Sequence, residues 1–313
     1  MTTGLNTAAY VATGIEMRKL FDDRAAEYSP IFPTMCWETD SDGKFEEYAK
    51  AGGVSGMTRR EGEIAFDRMR AATFQVKNEE YVNGMEVEKN DIDDSQNRTP
   101  IYRSLIPKMA TEGMAHPDEL LFTLIDNAET LPCWDGQPLI SENHSWGDSG
   151  TQSNDLSLNV ADPTAPTSIE CRAAYNALVA AMLSYKNDKG KLFVRPTAKP
   201  LDGLILVVPT IALQLAFDLA INSAVRATFE DNRQLYRPNE IRPLVMLSNT
   251  TKIQLIRVST PEERPFMFQR RKPLNRWVVG QNDPKMRVLQ FGCDARYVLV
   301  PNLWSSIVQI ELT

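Results

Sequence analysis

The densest grouping of chemically capable side chains runs from Cys133 through Asp135 and Glu142 to His144. A thiolate held against an imidazole makes a nucleophile–base pair, and two residues eleven apart in a loop can meet. The same side chains can ligate a metal, although the spacing matches no standard zinc site and no fourth ligand stands out. Cys133 also follows a helical stretch among apolar groups, where a buried structural thiol is commonplace. The chain has only two histidines, His116 and His144. It carries no GxSxG elbow, HExxH, Walker loop or GxGxxG fingerprint. The sequence therefore names no cofactor and no metal, and the one enzyme reading it offers is a Cys/His hydrolase centred on Cys133 and His144. A second grouping, Arg264-Pro-Phe266-Met-Phe268-Gln-Arg270-Arg271-Lys272 with Arg276 and Trp277 behind it, interleaves basic and aromatic residues. Such a segment (264–277) can stack bases and hold phosphates, which gives a nucleic-acid-binding reading. Phe266 and Phe268 equally alternate as on a half-buried strand, leaving the arginines outward for carboxylates.

The elements around these groups define an α+β chain with no βαβ repeat. Residues 1–37 read as an extended arm with one short helix, Gly14 to Tyr28, closed by Pro30 and Pro33. Residues 38–82 combine many charges with few large aliphatics and a glycine cluster that includes Gly52, Gly53 and Gly56. That composition cannot bury its own core, and the stretch is too long for a plain loop, so it reads as a two-stranded excursion. Asp91-Ile-Asp-Asp carries helix-start chemistry, and Thr99 to Ala128 follow a helical period with Leu120, Leu121, Leu124, Ile125 and Ala128 on one stripe. Pro107 and Pro117 make this either two helices or one kinked rod. Thr167-Ser-Ile-Glu170 is a capping box for a helix that ends by Gly190. Leu204–Val208 is a buried strand, and Ile211 to Ala224 is a helix whose apolar face includes Leu215 and Leu219. Short strands follow at 244–247, 253–258, 277–279, 287–291 and 297–300, and a last one at 308–312 alternates.

Composition narrows the classes further. The 313 residues carry 34 basic against 41 acidic side chains, a net charge of −7. That balance opposes a dedicated nucleic-acid binder, whose affinity comes from neutralising phosphates. The longest apolar run is far below the ~20 residues of a membrane span, and the first residues lack the features of a secretory signal. Four scattered cysteines without a CxxC pair argue against a disulfide scaffold or zinc ribbon. The charge is uneven: residues 1–100 hold a net −7, residues 101–200 a net −4 and residues 201–313 a net +4. An acidic front and a basic back suit association of copies, front to back.

Ile101-Tyr-Arg-Ser-Leu-Ile-Pro-Lys-Met, His116-Pro-Asp-Glu-Leu-Leu-Phe122, Pro132-Cys-Trp-Asp-Gly-Gln137, Arg264 to Pro273 and Phe291-Gly-Cys-Asp-Ala-Arg296 occur in that order. Together they resemble the major head subunit of Mu-like tailed phages. The resemblance implies the Hong Kong 97 capsid fold, divided into an N-terminal arm (1–37), an E-loop (38–82), a peripheral domain (83–187) with a spine helix near 99–128, an axial domain (188–258) and a return to the peripheral domain (259–313). It implies a structural protein of the virion rather than an enzyme, assembled in the host cytoplasm as hexamers and pentamers around double-stranded DNA. Implied partners are further copies, a separate scaffolding protein (no cleaved assembly segment precedes the arm), a portal and decoration proteins, with DNA contacted only non-specifically and no membrane. Some relatives of this fold cross-link E-loop lysines to asparagines of a neighbour, and Lys44 and Lys50 match by position. The expected contacts between copies are Gly52, Gly53, Gly56, Arg59, Arg60, Arg270, Arg271 and Arg276, with the acidic excursion meeting the arginines of another copy.

Overall fold

The computed structural model describes residues 3–54, 71–94, 102–195, 202–226, 237–283 and 285–313. Its first structural layer is set by two long helices. Helix α1 (Thr3–Glu27) is far longer than the expected short helix, and it is a packed element rather than an extended arm. Met17 and Phe21 explain the difference, because both are buried with Tyr102, Ile106, Met109, Phe291 and Cys293 in one apolar cluster. A one-turn helix, α2 (Phe32–Met35), follows and leads directly into strand β1 (Cys36–Asp40).

The excursion is two-stranded, as its composition requires. Strands β2 (Phe45–Ala51) and β3 (Ala71–Lys77) pair antiparallel in register from Phe45 opposite Lys77 to Ala51 opposite Ala71. Strand β4 (Glu79–Glu88) then leads into a short helix, α3 (Lys89–Asp94). The helix-start chemistry at Asp91 therefore belongs to this short element and not to the long helix after it. That long helix, α4 (Tyr102–Asp126), runs unbroken through Pro107 and Pro117. At 1.5 Å per residue its 25 residues form a rod of about 37 Å. Of the stripe read from the sequence, Leu121, Leu124 and Ile125 are buried and Leu120 is half-buried, and Ile106 and Met109 extend the buried side toward the start of the helix.

Beyond α4 come β5 (Asp155–Leu158), α5 (Ser168–Ser184), β6 (Leu204–Val208), α6 (Ile211–Arg226), β7 (Glu240–Pro243) and β8 (Lys252–Arg257). The chain ends with β9 (Phe266–Val279), β10 (Val288–Pro301) and β11 (Ile307–Leu312). The capping box is present in full: Thr167 accepts from the Glu170 amide, and the Glu170 side chain returns to the Thr167 amide. Helix α6 reverses the expected orientation. Its buried face is Leu213, Phe217, Ala220 and Ile221, while Ile211, Leu215 and Leu219 are 59%, 66% and 61% exposed. The helix is apolar on two sides, so periodicity alone cannot select the inner one.

Two sheets organise the rest. The first has the order β1-β9-β10-β4, with β1 parallel to β9 and the β9–β10 hairpin antiparallel. The fragments expected at 277–279, 287–291 and 297–300 are parts of this one hairpin of 14-residue strands, whose register shifts near Asp294 and Arg296. The second sheet has the order β5-β11-β8-β6-β7, with α5 and α6 packed together and against it. Its strands come from all three of the stretches 83–187, 188–258 and 259–313. Residues 244–247 form a turn after β7 rather than a strand. Strand β11 does not alternate between core and solvent: Ile307–Ile310 are all buried, and Gln309 is kept satisfied inside by Gln254 and Glu129.

Candidate assembly site

The base of the hairpin is a polar junction built from three parts of the chain, residues 41–48, Asn78 and Gln269. Glu46 Oε1 accepts from Ser41 Oγ and from the amides of Asp42 and Gly43 at 2.7–2.9 Å, closing the turn between β1 and β2. These donors, led by the Gly43 amide, hold the Glu46 carboxyl below its usual range. Asn78, between β3 and β4, donates to Ser41 Oγ and to the Gly43 carbonyl, and it accepts from buried Gln269 at 2.8 Å. Gln269 in turn accepts from the Tyr48 hydroxyl at 2.9 Å. Both amide side chains are buried and partnered, which is the condition for a polar group to sit inside a fold without cost to stability. The junction therefore fixes the base of the hairpin against the first sheet.

Further along, the Lys50 ammonium donates to Asn302 and lies within 6 Å of the Trp37 and Phe74 ring centres, and burial lowers its pKa. Lys44 instead lies over the Phe45 ring. The Gly53 amide donates to the buried carboxylate of Asp188, and a β-carbon at Gly53 would collide with Asn187. Gly52 is half-buried beside it, whereas Gly56, Arg59 and Arg60 lie outside the described residues. Three arginines expected at a contact between copies already hold carboxylates of their own chain. Arg270 pairs with Asp40 at 3.0 Å, Arg271 with Asp42 at 3.3 Å and Arg276 with Asp22. The acidic front and basic back thus meet within one subunit at these points. All three pairs are partly exposed, where such bridges contribute at most about 1 kcal/mol each.

The residues of the two alternative chemistries hold structural partners. The Cys133 thiol donates to the Asn302 carbonyl, and burial, helped by nearby Asp135, pushes its pKa up to about 12. His144 is fully buried, bonds Asp135 at 2.7 Å and stacks on Trp304 with ring centres 4.3 Å apart. The thiol and the imidazole Nδ1 thus hold different partners, and the thiol stays protonated at neutral pH. No group of three potential metal-ligating side chains is found among the described residues. Phe266 and Phe268 are buried, so neither ring offers a face to a base. Arg264 spends its guanidinium on the carbonyls of Pro33 and Cys36, at 2.7 and 2.8 Å. No helix among the described residues is long and apolar enough to cross a membrane.

Sequence reasoning did not find Glu46, Asn78 or Gln269 as organising residues. Asn78 and Gln269 are ordinary polar residues whose partners lie in other parts of the chain, and Glu46 meets its donors only once the β1–β2 turn closes. The only legible sign was the polar Gln269 set in an apolar strand.

A two-stranded hairpin on a polar hinge, a long proline-containing helix beneath the first sheet, and a second sheet covered by two helices define the Hong Kong 97-type capsid fold of tailed phages. The fold aligns with a subunit of the procapsid of bacteriophage JBD30 over 100% of this chain and 77% of that one, with a TM-score of 0.54 and 15% identity. It aligns with the capsid of cyanophage P-SCSP1u over 91% and 88%, with a TM-score of 0.59 and 10% identity. Within that class the chain belongs to the family described as Mu-like prophage major head subunit gpT, whose profile matches residues 11–169. The Mu-like prophage FluMu major head subunit of Haemophilus influenzae is 25% identical over 163 residues, 52% of this chain. The match spans 51% of that relative's length.

Proposed function

We propose that this protein is the major capsid protein of a tailed bacteriophage and forms hexamers and pentamers of an icosahedral head around double-stranded DNA. The observation that carries the reading is the likeness to a procapsid subunit over the whole chain, joined to a family match over its first half. The physical logic agrees. Many identical copies close a shell only when one surface complements another on the same chain. Each contact can be weak, because many acting together stabilise the assembled state.

In this reading residues 1–37 are the N-terminal arm, 38–82 the E-loop, 83–187 the peripheral domain with α4 as spine, 188–258 the axial domain and 259–313 the return. β5 and β11 lie in one sheet with β6, β7 and β8, which ties the axial stretch to the segments on either side of it. Gly52, Gly53, Gly56, Arg59, Arg60, Arg270, Arg271 and Arg276 serve contacts between copies, with the arginines extending their in-chain pairs to a neighbour's carboxylates. The protein acts as a building block rather than an enzyme. Its other partners are a separate scaffolding protein, a portal and decoration proteins, and assembly takes place in the host cytoplasm. Negative-stain microscopy of the expressed protein, alone and with a candidate scaffold, tests the reading. Shells or capsomers are expected, and a persistent monomer under all conditions overturns it.

A further inference from the structure

We propose that the cavity between α4 and the first sheet is a binding site for an organic cation, a guanidinium or primary ammonium group. The cavity is half open to solvent and holds about 320 Å³, at the small end of ligand sites. Its aromatic wall is a ladder of three rings. Tyr81 stands 4.4 Å from His116 and 4.9 Å from Tyr297, ring centre to ring centre, and His116 Nδ1 is hydrogen-bonded to the Tyr297 hydroxyl at 2.7 Å. Tyr297 is buried and Tyr81 is partly exposed, so Tyr81 is the tyrosine ring that can meet a cation.

The carboxylates decide the sign of the ligand. Glu112 and Glu119 also line the cavity. They sit four residues before and three after His116 on α4, which places all three on one helix face. Both are exposed, and neither is ion-paired among the described residues. Two carboxylates on one face repel an anion and hold a guanidinium or ammonium by charge-assisted hydrogen bonds. Deeper in, Leu274 and buried Ala295 supply apolar surface. A basic side chain divides in the same way, with an apolar stem and a charged head. The site is separate from the hairpin junction and stands independently of the shell reading.

The same chemistry can come from a lysine or arginine of a second copy or from a free small polyamine. The test titrates the dispersed subunit with Nα-acetyl-arginine amide, spermidine and the neutral isostere Nα-acetyl-citrulline amide, following ligand-induced NMR shifts of the His116 ring. Saturable binding of both cations is expected, about tenfold or more tighter than the citrulline compound. A comparable loss is expected in the Glu112→Gln/Glu119→Gln variant, whose exposed side chains leave folding intact. A Tyr81→Leu variant checks the aromatic wall separately and should also weaken binding. Equal binding of arginine and citrulline amides, or unchanged affinity in the double glutamine variant, overturns the proposal. Repeating the titration on assembled particles separates the sources. A pocket closed to the probes is filled by a neighbour's side chain, and one still open takes a free cation.

Discussion

Asp118 Oδ1 lies 2.7 Å from the amide nitrogen of Phe32 and 2.9 Å from that of Ile31, while its Oδ2 accepts from the Tyr28 hydroxyl at 2.9 Å. One buried carboxylate on α4 thus anchors the segment that joins α1 to the first sheet. Burial, together with this carboxylate, raises the Tyr28 pKa to about 12. Asp118→Ala leaves two amide donors and a hydroxyl without their acceptor. A loss of about 2–4 kcal/mol is expected from chemical denaturation of the dispersed subunit, against about 1 kcal/mol for Tyr28→Phe.

The hairpin hinge is expected to loosen in acid. The Glu46 carboxyl is held below its usual value, so its contribution is fully present above the ordinary glutamate pKa of about 4.3. It is lost as the pH falls through the lowered folded value. Hydrogen exchange of the Asp42 and Gly43 amides should accelerate in that window beyond the intrinsic pH trend, and Glu46→Gln should abolish the extra acceleration. An unchanged profile in the variant would sink the assignment.

Asn78→Ala removes the residue that ties Gln269 to the β1–β2 turn. A cost of about 1–3 kcal/mol is expected, since buried partners are left unsatisfied. Protease sensitivity should rise near the hairpin rather than in the second sheet, which limited proteolysis with mass mapping would read.

Cys133→Ser separates a building block from a hydrolase. A stability cost of about 1–2 kcal/mol is expected from burying a hydroxyl in place of a thiol. Shell formation should persist in the variant, and the wild-type thiol should resist alkylation at neutral pH until the protein unfolds. Rapid alkylation of the folded subunit at Cys133 would contradict the buried, protonated state.

Reversing charge at Arg270 and Arg271 removes their pairs with Asp40 and Asp42. The subunit should lose no more than about 1 kcal/mol per pair. Assembly yield and its salt dependence should change clearly, as judged by light scattering across a salt series. Unchanged assembly would confine these arginines to their own subunit.

Local signals were the legible ones. Thr167 and Glu170 announce α5 because a capping box is complete within four residues. Strand β6 is readable because a strand buried on both faces needs an apolar run. Helix α6 was turned the wrong way because Leu215 and Leu219 form as good a stripe as Leu213, Phe217 and Ala220. Helix α1 was underestimated because Met17 and Phe21 find their neighbours in residues such as Tyr102 and Phe291. The β9–β10 hairpin looked like fragments because Arg270, Arg271, Lys272 and Pro273 interrupt its apolar pattern. At the hinge, Gln269 and Asn78 become meaningful only once 191 residues of separation are closed.

The placement of β1 against β9, and of β5 against β11, has a consequence for the timing of synthesis. Asp40 meets Arg270 across 230 residues, and Asp155 meets Gln309 across 154. Neither sheet can be completed until ribosomes have released most of the chain, and such long-range pairings close slowly. A nascent subunit therefore presents unpaired strand edges for much of its translation, a period in which it is prone to aggregation. Chaperone capacity, rather than subunit affinity, is then expected to set the yield of competent protein when expression is fast.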